Sequence, residues 1–420
     1  MKTYFFPADI CLPDFSKVDG RKWATVACDQ YTSEPEYWEE AERLVGDAPS
    51  TLRLMLPEAY LDKSESEIPK INDKMRKYLS EGVLCANPDS MIYLERTQSD
   101  GKVRHGLVGA VDLEDYDFHK GSSSLTRATE GTVLERIPPR VEIRRDACLE
   151  LPHIMVLIDD PRDTVMGSIA RSKDKYEVAY DFDLMGGGGH VKAYFVDKDS
   201  FDSVNLALGE LARDGISNER YGVDAPPLLF AIGDGNHSLA TAKTLYEEIK
   251  REIGAEAAKD HPARYALCEL VNLHDSALEF EPIYRVVFGV EPESFYGELV
   301  SYTSRLEGTA AKQSIEVVWA GEERSITVES PQEQLAVGTV QSFLDEYVKL
   351  HPEAEVDYIH GVESTKALAQ RKNAVGILFD GMSKDMLYKT VICDGALPRK
   401  TFSMGHAADK RFYIECRKIK

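Results

Sequence analysis

The stretch Pro227–Lys250, PLLFAIGDGNHSLATAKTLYEEIK, is where the fold is decided. Leu228–Ile232 is a short apolar run that stops at a glycine, the pattern of a buried strand. From Ser238 onward, Leu239, Ala242, Tyr246, Ile249 and Ile253 recur every three or four residues and give a helix one apolar stripe. Gly233–His237 is therefore expected to turn a strand directly into a helix. The first N–H groups of such a helix lack internal partners, and its dipole adds positive potential. Gly233 and Gly235 open backbone angles closed to other residues and let a ligand approach the main chain. With Asn236 and Ser238 beside them, the turn reads as an anion seat. Asp234 is placed to accept a proton or hold a metal ion, and His237 to donate to a phosphoryl oxygen. The plain alternative is a turn whose Asp234 and Asn236 bond only their own backbone. The imidazole and the strand-to-helix setting are what favour chemistry.

Known phosphate motifs narrow the choice. The chain has no G-x-x-x-x-G-K-[ST] loop. A binuclear metallophosphatase needs an acid after Gly-Asn-His and a D-x-H upstream; here Ser238 follows His237 and the D-x-H is missing.

Working outward, strands and helices alternate without a strict βαβ rhythm, which predicts an α+β fold with mixed sheets and flanking helices. SEPEYWEEAERLVG reads as a helix with Ser33 at its N-cap, and SEIPKINDKMRKYLSEGV as another. SMIYLERTQSDGKVRHGLVGAVDL reads as a hairpin about Asp100-Gly101, and HIMVLIDD (His153–Asp160) as a strand. YEVAYDFDLMGGGGHVKAYFVD predicts a hairpin with Gly186–Gly189 at its tip, and a helix follows over about Phe201–Arg213. The 420 residues suggest several domains. Boundaries near 150 and 290 give an N-terminal mixed domain (1–150), a central domain with the turn (151–290) and a C-terminal α+β domain (291–420).

The net charge of −22 opposes a nucleic-acid partner, since such a surface repels phosphate backbones. A local basic pocket can still take a small anion. Seven scattered cysteines with no C-x-x-C pair suggest reduced thiols, mostly core fillers, in a cytoplasmic protein. No apolar stretch reaches the length of a membrane span, and no secretory h-region opens the chain. RKTFSMGH sets Arg399 and Lys400 beside Thr401, Ser403 and His406, a cationic loop suited to an anionic group. Arg127, Arg136 and Arg140 crowd a second segment; for the latter two, surface ion pairs are the simpler reading. Cys28 lacks a readable His or Asp partner, which points to packing rather than nucleophilic work. His153, His190 and His274 read as strand-end or loop residues, and no His/Cys/Asp spacing spells a metal site.

IGDGNHSLATA resembles the D-G-H-H-R-Y-x-T-A signature of domain-of-unknown-function family 1015. Three further segments resemble family elements in the same order: VNLHDSALEFEPIYRVV (Val271–Val287), DYIHG and LPRKTFSMG. VACDQYTSEPEYW is similar to its N-terminal segment, with Asp29 and Tyr31 as candidates. The turn is also similar to one in the ParB/sulfiredoxin-like superfamily, which includes free-serine kinases. That resemblance implies a ParB/sulfiredoxin-like element around the turn and phosphoryl transfer to an alcohol from a nucleotide or pyrophosphate donor. Asp234 would be the base or the Mg²⁺ ligand and His237 a phosphate contact. Gly233, Gly235, Asn236, Ser238, Arg127, Arg285, Arg399, Lys400 and Thr401 would bind substrate or phosphate. Asn236 stands where the family has its first His, Ser238 where it has an Arg, and Tyr284-Arg285 where it has His-Arg. These departures keep open a non-catalytic ligand-binding or regulatory protein.

Overall fold

In a computed structural model, Met155–Ile158 and Tyr265–Asn272 lie side by side in parallel, nearly every residue buried. Strands covered on both faces need apolar runs rather than alternation, which MVLI supplies throughout and YALCELV supplies except at Glu269, whose charge is met by Arg104 and Arg411. The structure describes the chain except Met1, Val133, Leu134, Arg136 and His406, so Arg136 and His406, singled out above, lie outside the described residues.

Around that pair a nine-stranded sheet assembles among the described residues. On one side come Val103–Asp112, Ile92–Thr97, His190–Phe195 and Glu177–Asp183, all antiparallel. On the other come Phe230–Asp234, Thr126–Ala128 and Tyr116–Asp117. Phe230–Asp234 runs antiparallel to Met155–Ile158 and parallel to Thr126–Ala128, so the sheet is mixed, as expected. Helix Asn236–Ile253 lays Leu239, Ala242 and Tyr246 into the core formed with Val156, Ile232 and Leu270.

A four-stranded sheet joins distant parts of the sequence, in the order Leu84–Ser90, Ala8–Pro13, Cys416–Lys418, Leu149–Glu150. Its core also takes helices Pro35–Val45 and Ser64–Ser80 through Trp38, Ile71 and Met75. The first of these helices starts with Pro35 at its first position and Glu34 at the cap, so Ser33 is not the N-cap.

The chain divides into two compact units. Residues 1–278 and 406–420 form one, and Glu279–Gly405 the other. The second has its own sheet, in the order Glu322–Val328, Gln313–Trp319, Ala374–Phe379, Phe280–Phe288, Glu355–His360, with Phe402–Met404 also on Phe280–Phe288. Two expectations therefore change. No boundary exists near 150, because strands from both sides of it share one sheet. The later boundary falls at Leu278/Glu279, because Phe280–Phe288 pairs within the second unit. The cysteines are free; Cys11, Cys268 and Cys416 are buried, but Cys85 and Cys393 are exposed. Among the described residues no helix is long and apolar enough to cross a membrane.

Candidate functional site

The strand-to-helix turn is tighter than its sequence suggests. The strand runs to Asp234, the helix starts at Asn236, and Gly235 alone joins them. Gly235 has φ +78°, and a Cβ there would lie 3.0 Å from the Cα of Ile154. The side chains of Asp234, Asn236, His237 and Ser238 are all partly exposed around it. The carboxylate of Asp234 accepts from the Gly235 N–H at 2.8 Å and from the Lys410 ammonium at 3.1 Å. Burial pushes the Asp234 carboxyl up, but Lys410 and His153, with those two hydrogen bonds, more than offset it and hold the group below its ordinary range. Asn236 is committed to structure: its Oδ1 accepts from the Thr129 N–H at 3.2 Å, while the Thr129 hydroxyl donates to the Ile232 carbonyl at 2.6 Å.

Antiparallel register explains what else arrives here. Asp234 stands opposite Met155, so the residues just before Met155 are carried to the mouth of the turn. His153 is one of them. Its Nε2 lies 2.8 Å from the Ser238 hydroxyl and its Nδ1 2.9 Å from the Tyr413 hydroxyl. Tyr413 also accepts from the Cys28 N–H at 3.2 Å. Burial raises the Tyr413 phenol well above its ordinary value, with Cys28 adding to the effect, so it stays neutral. Burial likewise pushes the Cys28 thiol up to about 12, too high for a thiolate nucleophile.

A cavity of about 170 Å³ opens beside this chain of groups. Its walls are apolar, with Leu56, Ile71, Met75 and Ile143 among them, and Ser238 and His153 stand in its lining. Ion pairs Arg140–Glu58 and Arg144–Glu150 line it too, so Arg140 is ion-paired as expected, but in the wall of the cavity and mostly buried rather than on the surface.

The structure gathers Gly233, Asp234, Gly235, Asn236, His237 and Ser238 but spends several of the expected cations elsewhere. Arg127 is buried and donates to the carbonyls of Ser124, Pro226 and Pro227 at 2.7–3.2 Å. Arg285, Arg399, Lys400 and Thr401 belong to the second unit. There Arg285 is wholly buried, its guanidinium donating to the carbonyls of Lys400 and Arg399 at 2.9 Å and packing against Tyr358. Arg399 is exposed and binds Asp345 at 2.7 Å, and Thr401 donates to the Pro398 carbonyl at 2.6 Å. Asp29 accepts from the neighbouring Gln30, and Tyr31 stacks on Tyr37. The cation beside Asp234 is instead Lys410. Lys410, His153 and Tyr413 were not legible as site residues, since only strand register and the return of the C-terminal segment bring them in. No group of three or more His, Cys, Asp or Glu suited to a metal ion occurs among the described residues.

The family model described as "Protein of unknown function (DUF1015)" matches residues 14–347. The chain belongs to that family. No curated protein matches this DUF1015 chain. Among solved structures, it is similar to a conserved hypothetical protein from Pyrococcus furiosus, at 12% identity and a TM-score of 0.34 over 76% of this chain and 96% of that one. It is also similar to a free serine kinase variant in complex with ADP, at 12% identity and a TM-score of 0.38 over 76% and 93% of the two chains. For the free serine kinase in complex with AMP the figures are 12%, 0.37, 76% and 92%. At these TM-scores the likenesses carry no weight for the chemistry, and the functional reading rests on the site.

Proposed function

We propose that this protein is a small-molecule phosphotransferase with an alcohol acceptor. One arrangement supports the reading: a carboxylate and an ammonium 3.1 Å apart at the N-terminal end of an 18-residue helix. Phosphoryl transfer is mostly positioning and charge stabilisation, so a base, a cation and outward N–H donors are its main requirements. Asp234 takes the acceptor's hydroxyl proton. Lys410, the helix N–H groups and His237 hold the transferring phosphoryl oxygens. The pair also contains its own trigger. Burial pushes Asp234 up and Lys410 pulls it down; when the ammonium turns to an arriving phosphate, the push of burial remains and the carboxylate becomes a stronger base.

Asp234 suits Mg²⁺ only as a single protein ligand, the remaining positions being filled by donor phosphates and water, as is usual for that ion. Mg²⁺ would then supply charge neutralisation between the phosphates. L-serine is the first acceptor to try, with nucleotide and pyrophosphate donors in parallel.

The test is a ³¹P NMR time course of the full-length protein with Mg²⁺, L-serine and ATP, ADP or pyrophosphate in separate tubes. A phosphoserine resonance is expected in one tube, reduced by roughly 10²–10⁴-fold in Asp234→Asn, the usual worth of a general base. No new resonance in any tube sinks the free-serine version. Saturable phosphate-donor binding without turnover would establish the ligand-binding alternative.

A further inference from the structure

We infer that Ser238 and His153 form a nucleophile–base pair that cleaves esters of small apolar acids, with the acyl group in the adjacent cavity. This inference needs neither the Asp234 proton chemistry nor a phosphate donor, so it stands or falls apart from the phosphotransferase reading.

Three observations carry it. The first is geometry: a partly buried serine hydroxyl lies 2.8 Å from a buried imidazole nitrogen, whose other nitrogen lies 2.9 Å from the Tyr413 hydroxyl. A nucleophile within hydrogen-bond reach of a base, and a third group orienting the base, is the general signature of covalent acyl transfer. The second is the tautomer. The Tyr413 oxygen already accepts from the Cys28 N–H, which leaves it one lone pair and its own proton to share with His153 Nδ1 at 2.9 Å. In the tautomer that carries the proton on Nδ1, His153 donates to that lone pair and keeps Nε2 free to accept the Ser238 proton. Asp234 lies close enough to interact electrostatically with His153, and so stabilises the imidazolium that forms.

The third is the cavity. At about 170 Å³ it resembles in size the apolar cavity of roughly 150 Å³ that accepts benzene. Its lining places Ser238 and His153 among apolar side chains such as Leu56, Met75 and Ile143. A compact acyl group of about six carbons fits that size, and its carbonyl carbon then reaches Ser238.

The steps balance with water as the only co-reactant. Ser238 Oγ bonds to the carbonyl carbon as its proton passes to His153 Nε2. The opening N–H groups of helix Asn236–Ile253 face the oxyanion. The C–O bond to the leaving alcohol breaks, and the alcohol departs with the His153 proton. Water then gives a proton to His153, attacks the acyl carbon and releases the acid, and Ser238 recovers its proton.

Full-length protein is treated with an alkyl fluorophosphonate and digested, and in parallel given p-nitrophenyl hexanoate and acetate. The expected result is an adduct on the Ser238 peptide, with hydrolysis of hexanoate exceeding that of acetate by at least about tenfold in kcat/KM, the usual worth of filling a pocket. Ser238→Ala should lose both adduct and hydrolysis while unfolding at the wild-type temperature, because alanine is at home in a helix. His153→Gln should slow adduct formation by roughly 10²-fold or more. Folded wild-type protein with no adduct at Ser238, or Ser238→Ala hydrolysing hexanoate at the wild-type rate, overturns the inference.

Discussion

Asp234 and Lys410 are each too buried to ignore and too exposed to be inert, with side chains 24% and 16% accessible. Their pairing decides how the turn responds to pH. The folded Asp234 carboxyl sits below its ordinary value of 3.8. Its contribution to stability is therefore fully present above that value and is lost as pH falls through the lower, folded one. In Lys410→Met both influences of the ammonium are gone while burial remains, so the folded value rises and the stabilisation from charging Asp234 shrinks at neutral pH. Lys410→Met is expected to cost about 1–3 kcal/mol near pH 7, a loss that shrinks as the solution is acidified. Urea unfolding midpoints of both proteins from about pH 7 down to pH 4 check this; a pH-independent difference would show that the pair is not coupled as described. At this scale legibility was poor. Nothing in the spacing around His153 or Lys410 distinguishes them from other strand-end or loop residues, because their partners lie 85 and 176 positions away.

At the scale of elements the sequence was far more readable. The apolar run and the period of three to four predicted strand, turn and helix, and the hairpin at Ile92–Thr97 and Val103–Asp112 fell on either side of Asp100-Gly101. What periodicity missed was the junction. The expected strand Leu228–Ile232 is observed as Phe230–Asp234, and the helix begins at Asn236 instead of Ser238. The N–H groups of Leu229 and Phe230 both go to the Leu125 carbonyl, so ladder pairing starts late. Asn236 joins the helix because Thr129, the residue just after the neighbouring parallel strand Thr126–Ala128, holds its side chain. Such cross-strand demands are invisible to a local pattern. The junction so formed depends on one residue. Gly235 needs φ +78° and an approach of 3.0 Å to Ile154, which no side chain permits without a shift. Gly235→Ala is expected to lose about 1–3 kcal/mol and to displace His153 from Ser238. Urea unfolding reads the first effect, and fluorophosphonate labelling at Ser238 reads the second. Unchanged stability would mean that the turn relaxes without strain.

At the scale of the molecule, three sequence-ordered domains were expected and two units are found, because the last fifteen residues return to the first unit. No linker composition signals such a return; its reason is buried charge and strand pairing. Glu269 is fully buried between Arg104, at 3.2 Å, and Arg411, which also binds the buried Glu415. Glu150 is held by Arg417 at 2.7 Å, and the Trp23 indole N–H donates to the Ile414 carbonyl at 2.9 Å. Cys416–Lys418 is an inner strand of the four-stranded sheet. Removing one partner of a buried pair costs about 3–5 kcal/mol, against a total domain stability of about 5–15 kcal/mol. A chain ending at Gly405 loses Arg411 from Glu269 and Arg417 from Glu150 together, and loses the strand between Ala8–Pro13 and Leu149–Glu150 as well. The first unit of that chain is expected not to fold, whereas Glu279–Gly405 keeps every strand of its own sheet. Limited proteolysis followed by mass spectrometry separates the outcomes. Protection confined to a fragment near 279–405 is the expected result, and a truncated chain whose residues 2–278 resist protease as the intact protein's do would refute the structural role given to the returning segment.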